Sequence, residues 1–217
     1  MSETNAERER ARDLDRLLTF VDAIVAIAIT LLVLPLVDLA GELASGGSVS
    51  ELLHRSRPLI GAFFLSFAVI ANLWLTQHRM LRHLVASSDP ITMLLMLWSV
   101  TIVFLPFPTA LVSARGGVSD QPLTKLLYVG TMAMSSVLLA FVSLLVHRDR
   151  SLRDSDVSPD PWLAFGVTAT FGLALAVMLL VPATGYLPLL LLILTDRFVD
   201  LTKGRLRRGR GVPQPRR

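Results

Sequence analysis

The sequence predicts an all-α polytopic membrane protein with six transmembrane helices and both termini in the cytoplasm. Two observations come from composition. Of the 217 residues, 53% are hydrophobic and 18% are charged, whereas soluble domains carry about 25% charged residues; the mean hydropathy is +0.59. The third observation is the arrangement, because long apolar runs alternate with short charged segments, as in proteins that cross a bilayer several times.

Six apolar runs form the predicted spans. The first five have the length, about 20 residues, that crosses about 30 Å of hydrocarbon as a helix. The sixth is shorter because it soon meets Asp196 and Arg197, which we expect to pair or to reach the interface. Near the end of the third span, Pro106 and Pro108 predict a kink or a helix end. The spans are residues 17–37, 58–76, 90–112, 125–146 and 162–181, with the sixth beginning at 186.

The distribution of basic residues predicts the orientation. With six spans, both termini and the loops at 77–89 and 147–161 lie on one side, which also holds most of the 21 lysines and arginines. The positive-inside rule assigns that side to the cytoplasm. A five-span chain would export its most basic stretch and is therefore rejected. The predicted organisation is a cytoplasmic tail (1–16), a membrane domain (17–201) and a basic cytoplasmic tail (202–217).

No motif for catalysis is visible. The chain has no cysteine, and it has no Gly-Lys-Ser/Thr phosphate loop, His-Glu-x-x-His or Gly-x-Ser-x-Gly motif. Its four histidines show no metal-like spacing. We therefore expect a protein that is not an enzyme, with no cofactor and no resident metal. The net charge of +4 is concentrated at the termini, which favours contact with anionic membrane lipids over nucleic acid.

Asp22 interrupts the first apolar run. A carboxylate at the centre of a membrane helix costs roughly 2.5–3.5 kcal/mol, so such a residue is a functional hypothesis by default. Its expected partner is Arg16, about one and a half turns earlier, or a basic residue at the end of the second span. Two interpretations stay open: a structural ion pair that locks helix packing, or a site that binds a proton or an ion.

Two stripes follow Asp22 on the first span. Ile27, Leu31 and Leu34 have the spacing i, i+4, i+7 and share one face of a helix. A neighbouring face carries smaller residues that permit close helix approach, namely Ala23, Ala26, Thr30 and Val33. This pairing suits a helix packed against copies of itself, although an aliphatic stripe alone more often faces lipid or the core.

The segment from Arg16 to Leu34 resembles the start of the TMEM175 family of lysosomal and prokaryotic potassium channels. The family signature is an arginine, three residues and Phe-Ser-Asp-Gly, leading into a helix that resembles Phe-Ala-Ile-Ala-Ile-Thr-Leu-Leu. Two later segments also resemble the family, one around Trp74 and His78 and one at residues 104–109. The first-span match rests on Arg16, Phe20, Asp22 and residues 26–34; Val21 and Ala23 replace the serine and the glycine.

The resemblance implies a homotetramer in a bacterial plasma membrane whose first helices line a central pore for potassium. Rings of Ile27, Leu31 and Leu34 would form the constriction in place of a Thr-Val-Gly-Tyr-Gly filter. Ile27 would be the narrowest point, with Thr30 close behind. An apolar ring offers no ligands to replace the water around an ion. Because potassium holds its water less tightly than sodium, we expect a modest preference for potassium.

The resemblance also implies a structural or gating network of Arg16, Asp22 and His78. The resemblance implies that a serine joins this network, but Val21 stands in its place and cannot make its hydrogen bonds. The alternative function is a proton- or ion-coupled carrier in which Asp22 exchanges its cargo by alternating access. Broken helices in paired halves would favour a carrier, and the prolines of the third span have no counterpart in the last three spans.

Overall fold

The computed structural model describes residues 2–43, 48–82, 84–86, 88–113, 121–149 and 152. The described chain is helical. Its helices are α1 (Ser2–Leu31), α2 (Leu34–Leu43), α3 (Val49–Arg55), α4 (Arg57–Leu81), α5 (Asp89–Phe104), α6 (Pro106–Ser113) and α7 (Pro122–Arg148). The predicted fifth and sixth spans and the basic C-terminal tail lie outside the described residues.

Within the described ranges, four helical segments are long and apolar enough to cross a membrane. They are Arg8–Leu39, Arg57–Leu81, Asp89–Ser113 and Pro122–Arg148. Each coincides with one of the first four predicted spans, so the all-α membrane class is confirmed for this part of the chain. The total of six spans, the side on which the termini lie and the tetramer stay predictions.

The first span differs from the predicted uninterrupted helix. α1 begins at Ser2, so the helix also runs through the predicted tail, and it ends at Leu31. In the turn that follows, the backbone N–H of Val33 bonds the carbonyl of Thr30 across 3.2 Å. Pro35 has no N–H to offer the carbonyl of Leu31, four residues earlier. The span is therefore two helices joined by a tight turn.

The third span is broken as its prolines predict. α5 ends at Phe104 and α6 begins at Pro106. Pro106 and Pro108 lack the N–H groups that would bond the carbonyls of Ile102 and Phe104. The carbonyl of Ile102 accepts instead from the backbone N–H of Leu105, across 3.2 Å.

The core lies where α5 packs against α1 and α7, while α4 packs against α6 and α7. α1 contributes one buried stripe whose members recur every three or four residues, as an amphipathic helix requires: Leu14, Leu17, Val21, Val25, Ala28 and Leu32. This inward stripe fixes the rotation of α1. It places Asp22, Ile27 and Leu31 on the remaining faces of the helix.

Candidate functional site

The candidate aliphatic stripe points away from the described fold. The side chains of Ile27, Leu31 and Leu34 are 58%, 37% and 53% exposed. Ile27 and Leu31 lie one turn apart on α1, whereas Leu34 is the first residue of α2. The structure thus brings Ile27 and Leu31 onto one continuous helical face and separates Leu34 from them by a turn. A stripe turned outward on a membrane helix is available to a second copy of the chain or to lipid.

Thr30 lies beside this stripe with its hydroxyl turned to its own helix. Its Oγ1 donates a hydrogen bond to the carbonyl of Ile27 across 2.7 Å. Because that bond uses the hydroxyl proton, the oxygen remains free to accept. The exposed face of α1 therefore presents two aliphatic side chains and one hydroxyl oxygen, an arrangement that can contact a hydrated cation without replacing its water shell.

Asp22 is held by a tryptophan of the next span. The indole Nε1 of Trp74 donates to Oδ1 of Asp22 across 2.8 Å, and both side chains are partly buried. The ring of Trp74 lies 5.6 Å from that of His78, centroid to centroid, and the rings are tilted by 32°. Trp74 and His78 are four residues apart on α4 and so share a face. The structure thus joins α1 to α4 through Asp22 and Trp74, with His78 against the indole.

Arg16 is not part of this contact. It is exposed on α1, and the described residues contain no ion pair between Arg16 and Asp22. Six residues of helix separate them by about 9 Å along the axis and by about 120° around it, which turns the two side chains apart. Within the predicted network, the structure thus brings Asp22 and His78 together through Trp74 and leaves Arg16 outside.

The sequence did not predict Trp74 as the partner of Asp22. Its one donor is the indole N–H, and a tryptophan in the second span has few polar acceptors at membrane depth. The carboxylate of the first span is such an acceptor. The presence of one acid and one indole at membrane depth was therefore a signal from which this contact could have been predicted.

No group of three His, Asp or Glu side chains fit to hold a metal occurs in the part of the chain that the structure describes.

The sequence matches a family model over most of its first three spans. Residues 16–106 match the model described as endosomal/lysosomal potassium channel TMEM175. The matched range begins at Arg16 and ends at Pro106. It contains each candidate residue named above.

Two similar proteins extend this result. A potassium channel of Streptomyces collinus (strain DSM 40733 / Tue 365) is 29% identical over 137 residues, and the match covers 63% of this chain and 65% of that relative. The chain thus matches just under two thirds of the relative's length. The crystal structure of a lysosomal potassium-selective channel TMEM175 homolog from Chamaesiphon minutus matches with a TM-score of 0.56 and 22% identity, covering 90% of this chain and 98% of that one. At this identity the likeness concerns the fold.

The three comparisons agree with one another and with the residues of the first span. The family model begins at the arginine of the predicted signature. The relative carries the name of a potassium channel, and the solved structure shares the helical fold. The predicted resemblance is confirmed: over residues 16–106, this chain is similar to the TMEM175 family.

Proposed function

We propose that this chain is a potassium-permeable cation channel in which four copies bring their first helices around a shared axis. The observation that carries the proposal is the outward aliphatic face of α1, where Ile27 and Leu31 are uncovered in a single chain. Rotation of four copies about one axis brings the same face of each copy together at that axis and so covers it. The names of the related proteins support potassium as the ion and a channel, not an enzyme, as the class.

Conduction through such an axis depends on wetting. Four copies of Ile27 form an apolar ring, with Leu31 one turn further along α1 and Leu34 beyond the turn. A narrow apolar ring excludes water until it widens, and it then passes ions that retain part of their hydration. Because potassium loses water more readily than sodium, the ring favours potassium modestly without a carbonyl filter. The oxygen of Thr30 adds a weak acceptor near the ring.

The polar network has a positioning role in this proposal. Asp22 and Trp74 fasten α1 to α4, with His78 packed on the indole. A change in this contact therefore changes the rotation or tilt of α1, and with it the width of the ring. Arg16 lies exposed at the cytoplasmic end of the predicted span, where its charge meets lipid headgroups or a neighbouring subunit.

A carrier that uses Asp22 is the second candidate. It draws on the partly buried carboxylate and on the breaks that the structure has in the first and third spans. Two facts weigh against it. The carboxylate already accepts a hydrogen bond from Trp74, and the related proteins are named as channels.

The test is potassium flux from proteoliposomes that hold the purified protein, with a potassium gradient and no proton gradient. A channel dissipates the gradient, and Ile27→Asn in four copies makes the ring polar and changes the rate or the potassium-to-sodium ratio. The contrary result is an absence of flux until a proton gradient is applied, followed by uptake that Asp22→Asn abolishes. That result would make the protein a carrier.

Cysteine labelling separates a pore-facing stripe from a lipid-facing one. The chain has no native cysteine, so Ile27→Cys and Phe64→Cys each introduce one thiol. Phe64 is a matched control because it is also on a membrane helix and is 63% exposed. A charged, water-soluble thiol reagent should alter flux through Ile27→Cys and leave Phe64→Cys unchanged. Equal insensitivity of both variants would assign the stripe to lipid.

A further inference from the structure

Three buried hydroxyl groups connect the helices α4, α6 and α7. Oγ of Ser66 on α4 is 2.9 Å from Oγ1 of Thr109 on α6 and 2.8 Å from the phenolic oxygen of Tyr128 on α7. Ser66 and Tyr128 are fully buried and Thr109 is nearly so. We refer to Tyr128, Ser66 and Thr109 as the hydroxyl chain.

The direction of the hydroxyl chain follows from its protons. Oγ1 of Thr109 donates to the carbonyl of Leu105 across 2.8 Å, so its proton is used and it accepts from Ser66. Ser66 has one proton, which goes to Thr109, and it therefore accepts from Tyr128. The chain runs from the Tyr128 hydroxyl through Ser66 and Thr109 to the carbonyl of Leu105. Each hydroxyl of the chain donates one bond, as burial in an apolar core requires.

The carbonyl at the end of this chain belongs to the residue between α5 and α6. The prolines at 106 and 108 remove two backbone hydrogen bonds there, so helix continuity fixes the angle between α5 and α6 weakly. The helical pattern resumes when the backbone N–H of Thr109 bonds the carbonyl of Leu105 across 3.1 Å. The same residue thus restarts the helix and ties it to α4 and α7.

α6 in turn contacts α1, the helix that carries Ile27. We propose that Tyr128, Ser66 and Thr109 are positioning residues that hold α6 against α4 and α7 and thereby fix the placement of α1. The effect on conduction rests on the proposed function, whereas the placement of the helices does not. Loss of the hydroxyl chain releases α6 at its proline break and lets α1 move.

Near-isosteric variants remove the hydroxyls with little change of shape. Tyr128→Phe removes the first donor, and Thr109→Val removes the link to Leu105. Thr109→Ser keeps the hydroxyl and should behave as the wild type. Thr131→Val is the matched control on α7, because the hydroxyl of Thr131 bonds the carbonyl of Leu127 in its own helix and joins it to no other described helix.

The primary measurement is a distance that needs no conduction. Spin labels are placed on Ala23→Cys in α1 and Phe107→Cys in α6, both at exposed positions. The labelled chain is co-expressed with an excess of cysteine-free chain. Most assemblies then hold a single labelled chain, so that each measured distance joins the two labels of that chain. Tyr128→Phe and Thr109→Val should shift or broaden this distance distribution, while Thr109→Ser and Thr131→Val should leave it as in the wild type.

Potassium flux is the second measurement on the same variants. Tyr128→Phe and Thr109→Val should change the rate by about threefold or more, the equilibrium factor that corresponds to one hydrogen bond between membrane helices. A distance distribution that is identical in wild type, Tyr128→Phe and Thr109→Val would overturn the proposal. If the wild type carries no flux, the proposed function fails, and the distances still decide whether the hydroxyl chain places α1.

Discussion

Nε1 of Trp74 donates a hydrogen bond to Oδ1 of Asp22 across 2.8 Å, and this bond joins the first and second membrane spans. A carboxylate inside a membrane helix loses hydration, and a hydrogen bond to the charged group offsets part of that loss. The bond therefore explains how the first span tolerates an acid that forms no ion pair within the described part of the chain. It also makes Asp22 a structural link between the helix with the outward stripe and the helix behind it.

The first prediction concerns this bond. Trp74→Phe keeps an aromatic ring but leaves the Asp22 carboxylate without its donor, so we expect the free energy of unfolding to fall by about 1.5–3 kcal/mol, the range for hydrogen bonds to charged groups. Asp22→Asn keeps an acceptor oxygen and should cost less. The measurement is thermal unfolding of the purified protein in detergent.

Trp98 supplies the control for the loss of ring volume. It is fully buried, and its Nε1 has no hydrogen-bond partner among the described residues. Trp98→Phe therefore removes bulk without removing a hydrogen bond. The hydrogen-bond account requires that Asp22→Asn rescue part of the loss in a Trp74→Phe background and none of the loss caused by Trp98→Phe. Equal rescue in both backgrounds would refute it.

The second prediction places Arg16 relative to Asp22. Because the structure turns the two side chains apart, Arg16→Gln and Asp22→Leu should affect stability additively, within about 0.5 kcal/mol. The matched cycle between Trp74→Phe and Asp22→Leu should instead show coupling above that value. If the coupling between Arg16 and Asp22 is as large as that between Trp74 and Asp22, the ion pair predicted from the sequence exists.

Much of the described fold was predictable because a helix that crosses a membrane needs about 20 consecutive, mostly apolar residues. The first four spans follow from apolar runs, and the break at residue 105 follows from Pro106 and Pro108. The turn after Leu31 was not predicted because the run of apolar residues continues through Pro35 without a change in hydropathy. The missing N–H of that proline was the available signal.

The sequence predicts which site residues share a helix face, but it does not predict which residues of different helices touch. Spacing on one helix places Ile27 and Leu31 together, because 3.6 residues complete a turn. It cannot say that Asp22 meets Trp74, because that contact depends on how α1 and α4 rotate against each other. The hydroxyl chain of Ser66, Thr109 and Tyr128 joins residues as many as 62 positions apart and had no local pattern.

The third prediction uses two neighbouring leucines with opposite environments. Leu32 is 2% exposed and Leu31 is 37% exposed. Leu32→Ala leaves a cavity in the core, so we expect a loss of about 2–5 kcal/mol of stability. Leu31→Ala should cost much less and should raise ion flux by widening the proposed ring. Thermal unfolding and proteoliposome flux on both variants make the comparison, and a larger flux change in Leu32→Ala than in Leu31→Ala would contradict the outward stripe.

The fourth prediction concerns Val21, which stands where the related family has a serine. Val21 is fully buried in the inward stripe of α1, about 100° around the helix from Asp22. Its side chain therefore packs in the core instead of facing the bond to Trp74. Val21→Ser should remove packing without strengthening that bond, with a loss of about 1–3 kcal/mol for a hydroxyl placed in an apolar site.

Val25 gives this fourth prediction its control, because it belongs to the same buried stripe and is 4% exposed. If Val21 contributes packing alone, Val21→Ser and Val25→Ser lower the unfolding midpoint by similar amounts. Each loss should then persist in an Asp22→Asn background, because no bond to the carboxylate has formed. A Val21→Ser protein that is more stable than the wild type, and that loses this gain with Asp22→Asn, would show that a serine at this position does reach the network. We expect Val21 to contribute packing alone, because adjacent residues of a helix point about 100° apart. Val21 therefore faces the core, while Asp22 faces α4.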